Sequence, residues 1–124
     1  MDELVGLGID AVELDRFRRA LARRPGLVRR LFTEGERAYG ERFSDPVPRL
    51  AARFAAKEAA MKALGVGLGA FSFHDVEVAR QPGGAPVLRV TGAAAALAGR
   101  RGVTSFHVSI THTERTAEAV VAAL

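Results

Sequence analysis

Along the chain the spacing of apolar residues switches between a period of two and a helical period, and the switches mark out its elements. Leu4 to Ala11 alternates, with Val5, Leu7 and Ile9 on one face and Gly6, Gly8 and Asp10 on the other, which predicts a short strand. From Val12 to Ala22 the spacing is helical: Val12, Phe17, Ala20 and Leu21 point inward, and Arg16, Arg19 and Arg23 lie on the polar side. Pro25-Gly26 ends that helix, and Leu27, Leu31 and Phe32 resume apolar contact. Thr33-Glu-Gly-Glu36 fits a capping box opening a helix to about Phe43, and Ser44-Asp-Pro-Val-Pro48 is a turn-forming linker. A run of strong helix formers, Arg53 to Leu64, follows and stops at Gly65, Gly67 and Gly69. Phe71 to Arg80 and Val87 to Val90 read as a hairpin around Gln81-Pro-Gly-Gly84, and Thr91 to Gly99 as an alanine helix. Val103 to Thr113 and Thr116 to Leu124 are two more strands, turning at Glu114-Arg115. Early helices followed by hairpin-linked strands predict an α+β fold, an antiparallel sheet packed with a long central helix and shorter helices, in one domain spanning residues 1–124.

The central helix carries an unusual charge pattern. At about 100° per residue, Leu50, Phe54, Met61 and Leu64 form one narrow apolar stripe, with Glu58 and Lys62 together at its border. An exposed Glu-to-Lys pair at this spacing stabilises a helix by only about 0.3–0.5 kcal/mol and is the ordinary reading. Here, however, Lys57 falls inside the stripe and Arg53 flanks it, so three cations surround one acid on a semi-buried face. Such crowding is commoner around a bound anion than on a solvated face. Lys57 itself receives no role from the sequence.

Charge and composition narrow the function classes. The 124 residues carry a formal net charge of +4, with arginines concentrated between positions 16 and 30, so an acidic partner is expected. A basic nucleic-acid-binding module is the principal alternative, although only 6% of residues are aromatic and none are interleaved with the cations for base stacking. There is no cysteine, which excludes disulfides, zinc-thiolate sites and thiol catalysis. No P-loop run, signal peptide or membrane span is visible, and a cytoplasmic protein is expected.

Asp10 and Glu58 are the best pair of acids for a hard cation. On the Asp10 face two glycines suggest open space beside the carboxylate, although a strand-end Asp can equally cap the helix that follows. Two carboxylates plus a phosphate-bearing substrate suit magnesium, which keeps several waters. His112, in Ser-Ile-Thr-His-Thr, could donate to a phosphate or move a proton, or be a satisfied edge residue.

Three motifs, Gly8-Ile-Asp-Ala-Val-Glu-Leu-Asp-Arg-Phe17, Arg53-Phe-Ala-Ala-Lys-Glu-Ala-Ala-Met-Lys-Ala-Leu-Gly65 and His107-Val-Ser-Ile-Thr-His-Thr113, resemble those of the holo-acyl-carrier-protein synthases, the short branch of the 4′-phosphopantetheinyl transferases. Phe32-Thr-x-x-Glu36 and Gly84-x-Pro86 are similar as well, so the likeness covers nearly the whole chain. It implies magnesium-dependent transfer of phosphopantetheine from coenzyme A to a serine of apo-acyl carrier protein, with release of adenosine 3′,5′-bisphosphate. Asp10 and Glu58 match the family's magnesium ligands, and Lys62 its diphosphate-contacting lysine. Arg53, Gly65, Pro86, His112 and Thr113 fall at or beside coenzyme A positions. Arg16 matches the arginine that meets the carrier's acidic helix, and Arg23 and Arg30 extend that basic surface. The resemblance also implies a homotrimer with sites between subunits, taking no nucleic acid or membrane as partner. Two departures stand out: Ala85 where the family often has lysine, with Arg89 nearby as a substitute, and Ala60-Met61 where it often has Phe-Ser.

Overall fold

The structure, a computed structural model, describes residues 3–124. Its elements run β1 (Gly6–Glu13), α1 (Leu14–Arg23), α2 (Leu27–Leu31), α3 (Glu34–Gly40), α4 (Val47–Ala63), β2 (Val76–Arg80), β3 (Pro86–Val90), α5 (Gly92–Arg100), β4 (Phe106–His112) and β5 (Thr116–Ala123). A 3-10 turn, Phe73–Asp75, precedes β2 where the sequence suggested continuous strand from Phe71. The expected α+β arrangement is present. An antiparallel sheet in the order β1-β5-β4 packs on α4, and β2 and β3 form a separate antiparallel hairpin.

Local chemistry explains most boundaries. Both halves of the capping box form: the Thr33 hydroxyl accepts from the Glu36 amide at 3.2 Å, and Glu36 Oε1 accepts from the Thr33 amide at 3.0 Å. α4 begins two residues earlier than Arg49, with Pro48 inside its first turn, where a missing N–H costs nothing. β1 keeps Val12 and Glu13, so α1 starts at Leu14 rather than Val12. α5 starts after Thr91, but its first turn is met by Asp75, whose Oδ2 accepts from the Ala94 amide at 3.3 Å.

The glycine face of β1, read from the sequence as leaving open space beside Asp10, is the inward face of the sheet. Gly6, Gly8, Asp10 and Val12 pair with Ala123, Val121, Ala119 and Ala117, all buried, and therefore face α4. The space beside the glycines is filled by the helix backbone: a Cβ on Gly6 would lie 1.8 Å from the Ala63 carbonyl oxygen, and one on Gly8 1.9 Å from that of Ala59. Leu7 and Ile9 face outward and are 61% and 63% exposed. α4 is correspondingly more than an edge-on amphipathic helix. Twelve of its 17 residues are buried, including Ala51, Ala52, Ala55, Ala56, Ala59, Ala60 and Ala63, so it is enclosed on several sides rather than along one stripe.

Candidate active site

β1 and α4 bring Asp10 and Glu58 to the same cleft, walled by α1 through Arg16, Phe17 and Ala20. Phe17 stacks on Phe54 of α4, ring centroids 5.4 Å apart, and both rings line the cleft, so the acids have bulky apolar neighbours. Lys62 does not pair with Glu58 one turn below. Its ammonium donates to Asp10 Oδ1 at 3.1 Å and to the Ile9 carbonyl at 2.9 Å, joining the end of α4 to β1. Burial pushes the Glu58 carboxyl above its ordinary value, the negative charge of Asp10 adds to the rise, and Lys62 partly offsets it.

The residues present fit a hard divalent cation. The donors are carboxylate oxygens, and among the described residues no group of three or more His, Cys, Asp or Glu converges anywhere, so a metal here would be completed by water and substrate oxygen, as magnesium prefers. The half-buried, mutually repelling pair of acids and the ammonium already drawn to Asp10 both mark a place that favours positive charge.

The three cations of α4, read from the sequence as surrounding one acid, go to three different partners. Lys62 goes to Asp10. Lys57, fully buried, donates to Glu36 Oε1 at 2.7 Å and to the carbonyls of Val76 and Phe73 at 2.7 and 2.8 Å. Desolvation draws its ammonium below the ordinary lysine range, and the Glu36 carboxylate opposes that. Arg53, 6% exposed, lies over the Tyr39 ring at 4.1 Å, and its Nε has no hydrogen-bond partner among the described residues.

Arg53 therefore belongs to a second cleft, shared with Tyr39 of α3, with Arg42 just after that helix and with Glu77, Arg80 and Arg89 on the hairpin. The guanidinium groups of Arg80 and Arg42 also sit over Tyr39, at 5.2 and 5.6 Å, and Arg80 donates to the Tyr39 hydroxyl. Arg89 is partly engaged by Glu77, 3.8 Å away. Tyr39, Arg42 and Arg80 were not singled out from the sequence. The available signal was the capping box, which places Tyr39 one turn after Glu36.

The remaining residues implied by resemblance are scattered within this one chain. His112 and Thr113 line a third cleft with Leu14, Arg18 and Pro48, and the Thr113 hydroxyl accepts from the amides of Arg115 and Thr116 at 3.1 Å each. Pro86 begins β3, paired with Arg80. Gly65 ends α4 at φ +73°, beneath Arg101, which donates to the Leu64 carbonyl. Arg16, Arg23 and Arg30 are exposed, whereas Arg18 is held by Asp45 through two bonds of 3.0 and 2.9 Å.

Residues 6–122 match the family described as the 4′-phosphopantetheinyl transferase superfamily. The chain belongs to that superfamily. Within it, a holo-[acyl-carrier-protein] synthase of Frankia casuarinae is 48% identical over 120 residues, 97% of each chain. The crystal structure of the holo-[acyl-carrier-protein] synthase of Neisseria meningitidis superposes with a TM-score of 0.90 at 31% identity, covering 98% of this chain and 99% of that one. The Bacillus anthracis enzyme, solved in complex with coenzyme A (3′,5′-ADP), gives 0.81 at 34% identity over 97% and 96%. The two solved structures share the overall fold of this chain.

Proposed function

We propose that this chain transfers 4′-phosphopantetheine from coenzyme A to a serine of apo-acyl carrier protein, releasing adenosine 3′,5′-bisphosphate, as a single cytoplasmic domain dependent on magnesium. The observation that carries this reading is the cleft in which Asp10 and Glu58 meet beneath the arginine-bearing helix α1, with Lys62 bonded to Asp10. Asp10 and Glu58 hold the magnesium, which when bound offsets negative charge on the coenzyme's diphosphate. Lys62 exchanges its bond to Asp10 for the diphosphate oxygens and stabilises charge that develops there. Glu58, directly or through a water that it orients, takes the proton of the carrier serine as that oxygen attacks the β-phosphorus. The bond from that phosphorus to the bridging oxygen breaks, and the bisphosphate leaves with the electron pair. The nucleophile belongs to the partner, and this chain needs none of its own.

Arg16 lies at the rim of the cleft and meets the acidic carrier, with Arg23 and Arg30 extending the contact. The tie between Arg18 and Asp45 interrupts the arginine stripe and favours this reading over a nucleic-acid-binding module. Arg53, Pro86, His112 and Thr113 lie away from the acids of their own chain, in keeping with coenzyme A bound between subunits of a homotrimer. The outward apolar face of Leu7, Ile9 and Val120 supports such association.

The decisive experiment incubates the protein with coenzyme A, magnesium and apo-acyl carrier protein and follows carrier mass. One added phosphopantetheine is expected, lost with Glu58→Gln; no addition to any of several carriers would refute the reading. Arg16→Glu is expected to raise the KM for carrier about tenfold or more with little change for coenzyme A. Equal effects on both substrates would move Arg16 out of the carrier contact.

A further inference from the structure

α4 supplies Glu58 to the acidic cleft and Arg53 to the cationic one, so its rotation and axial setting matter more than those of an ordinary core helix. Its surface gives little to set them by. Alanine at most of its buried positions presents shallow ridges, and apolar packing of that kind folds a chain more readily than it selects one exact arrangement. Toward β1 the close approach at Gly6 and Gly8 fixes the helix. Toward α3 and β2 the buried charged side chains among the described residues are Glu36, Lys57 and Arg53, and of these Glu36 and Lys57 form an ion pair with each other.

Their arrangement is complete and directional. The three donors of the Lys57 ammonium meet Glu36 and the carbonyls of Phe73 and Val76. Glu36 in turn accepts from the amides of Thr33 and Val78, the latter at 2.9 Å. Helix α4, the cap of α3 and the start of β2 are thereby tied at one point. A buried ion pair of this kind seldom adds net stability over well-packed apolar residues, and its best-attested use is to specify register.

Register matters here because of what stands one turn away. Arg53 precedes Lys57 by four residues and Tyr39 follows Glu36 by three, so each pair shares a helix face, and Arg53 on Tyr39 is the next rung of the same α4–α3 contact. We propose that Glu36 and Lys57 are a positioning pair: by pinning α4 to α3 and β2 they hold Arg53 against Tyr39 and so set the cationic cleft for the phosphates of coenzyme A. This rests on the coenzyme A reading above. It gives Lys57 a role in substrate affinity without contact with substrate.

The test compares the wild type with Lys57→Met and with the double variant Glu36→Leu/Lys57→Met. The single variant leaves Glu36 buried without its partner and is expected to melt at a lower temperature, whereas the double variant removes both charges but also takes their partners from the amides of Thr33 and Val78 and the carbonyls of Phe73 and Val76, so it is expected to fold with a thermal midpoint between the single variant and wild type. In the double variant the KM for coenzyme A is expected to rise about tenfold, while kcat at saturating coenzyme A and the affinity of the Asp10–Glu58 cleft for Mn2+, measured by calorimetry, stay within about twofold of wild type. A double variant with wild-type KM would overturn the positioning role, as would parallel losses of kcat and Mn2+ affinity, which would mark a pair that merely supports the fold. Should the wild type itself fail to bind coenzyme A, the function reading falls and the positioning role falls with it. The swapped pair Glu36→Lys/Lys57→Glu would face an ammonium with amide N–H groups and a carboxylate with carbonyls, so it is expected to be less stable than Lys57→Met; rescue by the swap would contradict the directional pin.

Discussion

Glu58 illustrates a conflict between stability and use at a single residue. Burial and the nearby charge of Asp10 favour its protonated form in the folded state, so its folded value lies above its unfolded one. The folded chain therefore gains from Glu58 at pH below the ordinary carboxylate range and progressively loses that gain as pH rises through the raised value. Glu58→Gln is accordingly expected to raise the thermal midpoint of the metal-free protein at pH 7 to 8, with the advantage disappearing near pH 4. Thermal melts across that range check this, and a Gln variant less stable at pH 7 than wild type would reject it. Lys57 and Arg53 show a related point about reading charge from one dimension. Both were seen as anomalous cations on a half-buried helix, and both are anomalous, but their partners, Glu36 and Tyr39, are 21 and 14 positions away in sequence and on another helix. Periodicity identifies that a buried cation needs a partner; it does not say which residue the fold delivers.

At the level of elements, the contact of β1 with α4 is the tightest test of the fold. Gly8→Ala would drive a methyl against the Ala59 carbonyl and forces helix or strand to move, so a loss of about 1–3 kcal/mol is expected in denaturant unfolding. An unchanged midpoint would show that the strand can shift freely. The same contact explains what was legible and what was not. The alternation of residues 4 to 11, the capping box at Thr33, the glycine stop at Gly65 and the hairpin at residues 81–84 depend on local chemistry, and all are found. The direction of the alternation is not local. Hydrophobicity alone would send Leu7 and Ile9 inward, but glycines on the strand and alanines on the helix approach so closely that the small residues form the interior side. The same smallness blurred the helix, whose buried alanines gave no clean stripe. Of the candidate site, Asp10, Glu58 and Arg16 are found in one cleft and Lys62 bonds Asp10, while Arg53 and His112 line clefts of their own, a separation that spacing along one chain does not encode.

For the whole molecule, the exposed sheet face and the dispersed half-sites point the same way. Leu7→Asp combined with Ile9→Asp is expected to yield a folded monomer in sedimentation and to lose transfer activity, because a lone subunit then lacks a neighbour's Arg53 and His112. A trimer that persists would remove this face from the interface, and a fully active monomer would dispose of sites shared between subunits. The alanine-coated central helix has one more consequence, for the kinds of sequence change the molecule can absorb. In most interiors truncation is what harms, because it leaves a void. Around α4 there is little left to truncate, so injury should come from enlargement: in a saturation library, Ala55, Ala56, Ala59 and Ala60 should reject nearly every larger side chain, while Leu50 and Met61 follow the usual rule. The helix would then act as a caliper whose thickness, rather than its greasiness, is under constraint.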